Sequence, residues 1–290
     1  MGAESAAPVR RQRLRVGLGT FLAVEASAAS AEQADAAIEA AFAAMLEVEQ
    51  RMHPSREGSD LAKINASSAW PSPPIPVHRP TWDLLQLAKH LNALSDGVFD
   101  PCLPCRSGVL SDVELLPDSQ VRCLAPVRLD FGGFAKGYAV DQAVEALMRY
   151  GCGAGLVNAG GDLRVFGPQV ETVLLREKTG HFHPVRLSNA AIAVSEVNEA
   201  RRPSEHSGYY LRTQVASNSD AVGDARINGR NVAVIANRAV LADALTKCAL
   251  LCTAQQLQRL SRDLTRSRSK TSIGPRLCTT TAEIHVHCDT

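Results

Sequence analysis

Leu129-Asp130-Phe131-Gly132-Gly133-Phe134-Ala135-Lys136-Gly137-Tyr138 joins a strand end, a glycine turn and a helix start. Toward the C-terminus, Lys136 to Tyr150 reads as a helix stopped by Gly151, and Gly155 to Asn158 as a strand. Short β-like runs follow at Thr172 to Arg176, Pro184 to Leu187, Ala191 to Ser195 and Val232 to Ala236, and the last feeds a helix from Leu241 to about Leu260. Toward the N-terminus, Val127 to Asp130 reads as the strand entering the turn, preceded by an irregular stretch that reaches back to Val98. Before it, Leu84, Leu87, Leu91 and Leu94 mark a helix over Thr81 to Leu94 with Gly97 as its stop, and Pro71 to Pro80 is a Pro-rich loop. Ile38, Phe42, Met45 and Leu46 mark a helix over Ser30 to Met52, and Val16 to Val24 is the first strand. Strands and helices mix without a strict strand-helix-strand rhythm, which predicts an α+β fold with mainly antiparallel sheets.

The 290 residues carry 31 Lys+Arg against 30 Asp+Glu, a formal net charge of +1, which argues against a general nucleic-acid binder. With 45% hydrophobic and 21% charged residues the chain is too apolar and too evenly charged to be disordered. No run approaches the roughly 18 apolar residues of a membrane helix, so membrane insertion is not expected. Arg10-Arg11-Gln12-Arg13 before an apolar run imitates a signal peptide, but β-branched and aromatic residues followed by an Ala/Glu helix suit a first strand better. The 8 cysteines are scattered, and without an export signal reduced thiols and a cytoplasmic location are expected.

Three corners carry candidate chemistry. In the glycine turn, backbone N–H groups, the helix dipole and Lys136 together favour an anion such as a phosphate; the alternative is a tight corner with Lys136 in solvent. Asn158-Ala159-Gly160-Gly161-Asp162 follows an apolar strand, and its glycines permit a ligand to approach closely or simply make a turn. In Ala242-Asp243-Ala244-Leu245-Thr246-Lys247, Asp243 and Thr246 are three apart and share a helical face. Hard oxygens of this kind suit Mg²⁺ beside a phosphate, while Asp243 alone also suits a helix N-cap.

In this order the three corners resemble the flavin transferases of the ApbE family, which take FMN from FAD and attach it to a threonine of an acceptor protein. The resemblance runs from about Leu14 to Leu260 and includes Ser59-Asp60-Leu61 with Ile64-Asn65, and Asp96-Gly97-Val98-Phe99-Asp100-Pro101. It implies a single T-fold-related α+β domain over residues 1–265, with flanking helices and FAD in a cleft between its lobes, followed by a tail over 266–290. It further implies that Leu18, Val98, Phe99, Asp100, Asp130, Lys136, Gly160 and Gly161 bind the flavin nucleotide. Gly133, Asp243 and Thr246 would surround Mg²⁺, which would neutralise the FAD pyrophosphate as the acceptor hydroxyl attacks phosphorus and AMP leaves. The implied partners are FAD and an acceptor protein with a target threonine, with no nucleic acid; the oligomeric state stays open.

This chain also departs from the family pattern. The usual His-x-x-Asp-Pro segment falls in about Ser204 to Arg230, which contains no Asp-Pro. His206 is the nearest histidine and the candidate base for the threonine hydroxyl. A Thr-Ser-Gly-like turn reads Ser195-Glu196, and the aromatic or imidazole expected before Ser59 is Ser55 unless His53 substitutes. These departures keep a second reading open, a noncatalytic FAD- or nucleotide-binding member. Elsewhere, Cys102-Leu103-Pro104-Cys105, Cys248 with Cys252, His181-Phe182-His183 and His285-Val286-His287 read more readily as ordinary thiols and surface imidazoles than as metal sites. The Arg-rich run from Arg259 to Arg268 reads as a solvated tail, and Ala282 to Cys288 alternates like an edge strand.

Overall fold

Val9–Gly17 (β1) and Thr20–Ala28 (β2) pair in antiparallel register from Val9 opposite Ala28 to Gly17 opposite Thr20. The single first strand expected over Val16 to Val24 is thus two strands, reversed at Leu18 (φ 53°) and Gly19 (φ 71°). Two consecutive positive φ values are what a two-residue hairpin turn requires, and here a leucine rather than Asn or Asp takes the first of them. The computed structural model describes residues 7–176, 181–196, 231–266 and 282–283.

The remaining elements follow as α1 (Ala31–Met52), α2 (Asp60–Asn65), β3 (Ile75–Pro76), α3 (Arg79–Leu94), β4 (Val113–Leu116), β5 (Gln120–Cys123) and α4 (Ala135–Arg149). After these come β6 (Ala154–Ala159), β7 (Asp162–Phe166), β8 (Glu171–Arg176), β9 (Phe182–Leu187), β10 (Ala191–Glu196) and β11 (Asn231–Ala236). The last described elements are α5 (Ala239–Leu251), α6 (Ala254–Arg266) and β12 (Ala282–Glu283). A seven-stranded sheet has the order β1-β2-β6-β7-β10-β11-β12, and every pairing in it is antiparallel. β3-β5-β4 and β8-β9 form two smaller antiparallel sheets. The α+β class expected from the sequence is the observed one.

Side-chain alternation assigns the faces. In β2, Leu22, Val24, Ala26 and Ala28 point into the main core, which α1, α4 and α5 share. α1 starts at Ser30, whose Oγ accepts the Gln33 N–H at 3.2 Å, and buries Ala34, Ala37 and Ala41 beside Ile38, Phe42 and Met45. Leu46, expected on that face, is half exposed because the helix turns it past the edge of the stripe. On the other side of the sheet, Leu163, Val165 and Ile192 pack with Leu187 under the β8–β9 ribbon. β7 is therefore buried on both faces, has no alternation, and was not legible as a strand.

Four more expectations change. Val127 to Asp130 makes only an isolated bridge, Leu129 with Cys102, because its neighbour on that side is a loop and not a strand. The stretch before it contains the β4–β5 hairpin, turned at Pro117-Asp118-Ser119, where Asp118 and Ser119 have φ near 55°. The helix expected from Leu241 to Leu260 is two, α5 and α6. It breaks at Cys252-Thr253, and Thr253 Oγ1 accepts the Gln256 N–H at 3.3 Å to start the second. The Arg-rich run expected as a tail is helical from Arg259 as far as Arg266, and Ala282–Glu283 pairs with Ile235 and Ala236. Among the described residues, Cys105, Cys123, Cys152, Cys248 and Cys252 are in no disulfide. Among the described residues no helix is long and apolar enough to cross a membrane.

Candidate active site

The glycine turn is held from three sides. Asn65, the last residue of α2, donates from Nδ2 to the Leu129 carbonyl at 2.9 Å, and its Oδ1 accepts the Leu129 N–H at 2.7 Å. The carboxamide thus stands in for a paired strand. Asp130 N–H donates to the Pro101 carbonyl at 2.9 Å, and Asp130 Oδ1 accepts the Gly132 N–H at 2.8 Å, which closes the turn. Asp100 folds its own loop in the same manner, accepting the N–H groups of Cys102 at 2.8 Å and Leu110 at 3.3 Å. Phe99 is buried edge-on against Phe134, with centroids 5.2 Å apart. Between these segments lies a partly open cleft lined by Val98, Phe99, Asp100, Pro101, Asp130, Gly133 and Phe134, and on the opposite wall by Lys247 and Leu251 of α5.

α5 is set by α4. The fully buried Asp141 carboxylate accepts the N–H groups of Ala239 at 3.0 Å and Val240 at 3.1 Å, satisfying the free donors of the α5 N-terminus. Arg164 and Arg238 bind the same carboxylate at 2.7 and 3.2 Å. The helices meet closely because Gly137 has no side chain: a Cβ there would lie 2.3 Å from the Ala239 carbonyl oxygen. Gly137 N–H accordingly reaches Asp243 Oδ2 at 3.1 Å.

Asp243 is therefore a buried carboxylate held by a backbone amide on one oxygen, while its other oxygen, Oδ1, is ion-paired with Lys247 one helical turn on. Lys247 Nζ also donates to Ser195 Oγ at 3.1 Å, Ser195 Oγ lies 2.7 Å from Thr246 Oγ1, and Thr246 donates to the Asp243 carbonyl at 2.7 Å. A second pair joins the part-exposed Lys136 to the buried Asp162 at the start of β7. Burial, and then the charge of Asp243, raise Asp162 to about 6, against the pull of Lys136 and Lys247. The β6–β7 turn that delivers Asp162 needs positive φ at Gly160 (62°) and Gly161 (102°), and Asn158 Oδ1 accepts the Gly161 N–H at 2.9 Å. Two carboxylates and two ammoniums thus form a neutral cluster at the end of the sheet where the corners meet.

Of the residues expected to bind the nucleotide, Val98, Phe99, Asp100 and Asp130 line one cleft with Gly133. Lys136 and the Gly160-Gly161 turn belong to the adjoining charged cluster through Asp162. Leu18 sits in the β1–β2 turn, next to the strand that carries Thr20 against Gly160, and not in the cleft lining. His206 lies outside the described residues.

The donor set does not fit the expected Mg²⁺. Asp243 Oδ1 is held by an ammonium, and the Thr246 hydroxyl is engaged by its own helix and by Ser195. A Cβ at Gly133 would stand 3.6 Å from Lys247 Cε, so the expected metal residues surround a lysine. Among the described residues no trio of His, Cys, Asp or Glu is placed to hold a metal. Sequence reasoning missed Asn65, Asp162, Ser195 and Lys247 as working parts. The signals were present, since Asp162 ends the second corner and Lys247 stands at i+4 from Asp243.

Comparison with known proteins identifies the fold and the family. The chain is similar to the FAD:protein FMN transferase of Treponema pallidum (strain Nichols), 26% identical over 187 residues, which are 53% of this chain. It spans about half of that relative, 51%. The fold is similar to the flavinyl transferase ApbE of Pseudomonas stutzeri in its apo form, with a TM-score of 0.72 at 18% identity over 89% of each chain. It is also similar to the ApbE protein of Thermotoga maritima, with a TM-score of 0.68 at 21% identity over 89% of this chain and 92% of that one. The flavin transferase ApbE of Vibrio cholerae gives a TM-score of 0.68 at 16% identity, covering 88% and 91%. The ApbE family model itself matches residues 18–110 and 105–268, nearly the whole span over which the cleft and the charged cluster are built, and the chain belongs to the ApbE family.

Proposed function

We propose that this protein binds FAD and transfers its FMN part to a threonine of an acceptor protein, releasing AMP. The observation that carries this reading is the cleft of Val98 to Pro101, Asp130 and Gly133 opening beside two lysines, each paired with a buried aspartate. The flavin end suits the apolar wall of Val98, Phe99 and Phe134, while the Asp130 carboxylate suits the ribityl hydroxyls. Lys136 and Lys247 supply positive charge to the pyrophosphate, held in place beforehand by Asp162 and Asp243. In the transfer, a bond forms between the threonine oxygen and the FMN phosphorus. The bond from that phosphorus to the bridging oxygen breaks, and AMP leaves with the oxygen. The hydroxyl proton goes to a base, for which His206 remains the candidate from the sequence. Mg²⁺ was the expected counter-ion, and the residues present support lysine charge in that role instead.

The test is chromatography of nucleotides after incubation with FAD and a threonine-containing acceptor, with Mg²⁺ in one arm and EDTA in the other. AMP with flavin on the acceptor is the expected result. The second reading, an FAD carrier without transfer, is favoured by the ion pair that engages Asp243. It predicts retained FAD and no AMP in either arm.

A further inference from the structure

Lys247 is placed where a solvent-exposed lysine would not be. Its stem crosses the face of Gly133, its side chain is 14% exposed, and its ammonium lies between Asp243 Oδ1 and Ser195 Oγ, the latter at 3.1 Å. Every ligand expected for a divalent ion is accounted for around it. Asp243 supplies the anionic oxygen, Thr246 is reached through Ser195, and Gly133 forms the near wall. An ammonium has the hydrogen-bond donors this setting requires, and a compact point charge suits a phosphate. The cluster is already neutral, with Lys136 and Lys247 against Asp162 and Asp243, so adding a dication would place two uncompensated charges at a largely buried position.

We propose that the Lys247 ammonium is the resident cation of this site, standing in the place of a divalent metal and making FAD binding independent of one. The part concerning FAD rests on the function proposed above, whereas the exclusion of metal by Lys247 does not. The first measurement is therefore made without nucleotide. Mn²⁺ is titrated into the folded protein and free ion is read by electron paramagnetic resonance. Wild type and Lys247→Arg should leave the free-ion signal unchanged, and Lys247→Ala, which opens the position beside Asp243, should take up Mn²⁺. FAD is then titrated by flavin fluorescence quenching in EDTA and in Mg²⁺. Wild-type affinity should differ by less than about twofold between the two, while Lys247→Ala should bind at least about tenfold more tightly in Mg²⁺. Wild-type uptake of Mn²⁺ that Asp243→Asn removes overturns the proposal. So does a tenfold loss of wild-type FAD affinity on chelation, or a folded Lys247→Ala that gains no metal. If Lys247→Ala does not fold, wild type and Lys247→Arg decide the matter by the same criteria. If wild type binds no FAD in either buffer, the flavin reading fails, and the Mn²⁺ titration still decides the role of Lys247.

Discussion

Asp162 ionises two pH units above where an exposed aspartate does, at about 6 against an ordinary 3.8, because burial and the charge of Asp243 both oppose its negative form. The folded chain therefore holds a proton there that the unfolded chain has already lost. The resulting stability is fully present below about pH 4 and disappears as pH rises through about 6. Asp162→Asn has no such titration. The melting temperature of the variant relative to wild type should therefore shift in the variant's favour between pH 4 and pH 7, by scanning calorimetry at fixed ionic strength; a constant difference would contradict the assignment. Lys136, together with Lys247, favours the ionised form of Asp162. Lys136→Met should weaken FAD binding by about ten- to a hundredfold, the worth of a charge-assisted hydrogen bond, as read by fluorescence quenching.

Among the elements, the contact of α4 with α5 decides the site. Asp141 satisfies the α5 N-terminus and pairs with both Arg164 and Arg238, so Asp141→Ala leaves buried charge and open amides together. A cost of about 3–5 kcal/mol is expected. At about 2–4 °C per kcal/mol for a domain of this size, the melting temperature should fall by roughly 10 °C. Gly137→Ala meets the Ala239 carbonyl at 2.3 Å, which is backbone and cannot rotate away. It should cost about 1–3 kcal/mol and, by displacing α5, reduce FAD affinity more than stability, a comparison of one titration with one melt. Much of this was legible beforehand: the helix after Phe134, its stop at Gly151 and the alternating strands all follow from local chemistry. The β1–β2 turn was not, because Leu18 takes a conformation that its residue type does not announce. Neither was the break at Cys252, where the helical pattern continues and only the Thr253 cap marks a new start. In the site, spacing placed Asp243 and Thr246 on one face. Which cation they face depended on Lys247 turning inward, and only the packing of α5 against Gly133 settles that.

At the scale of the whole molecule, one continuous core runs from Leu22 to Leu264 and ties the glycine turn, the sheet and the C-terminal helices into a single body. The β6–β7 turn, Ser195 near the end of β10, and the face of α5 that carries Asp243 and Lys247 all meet at one end of the seven-stranded sheet. A family fold places these corners, and the sequence departs from the expected pattern at Ser195-Glu196 and in the stretch from Ser204 to Arg230. The position of Lys247 has a physiological side. A cation that is part of the polypeptide is delivered by translation, one per chain, and its occupancy cannot follow the magnesium level of the cell. Chelation cannot strip it, and the cation is in place from the moment the chain folds.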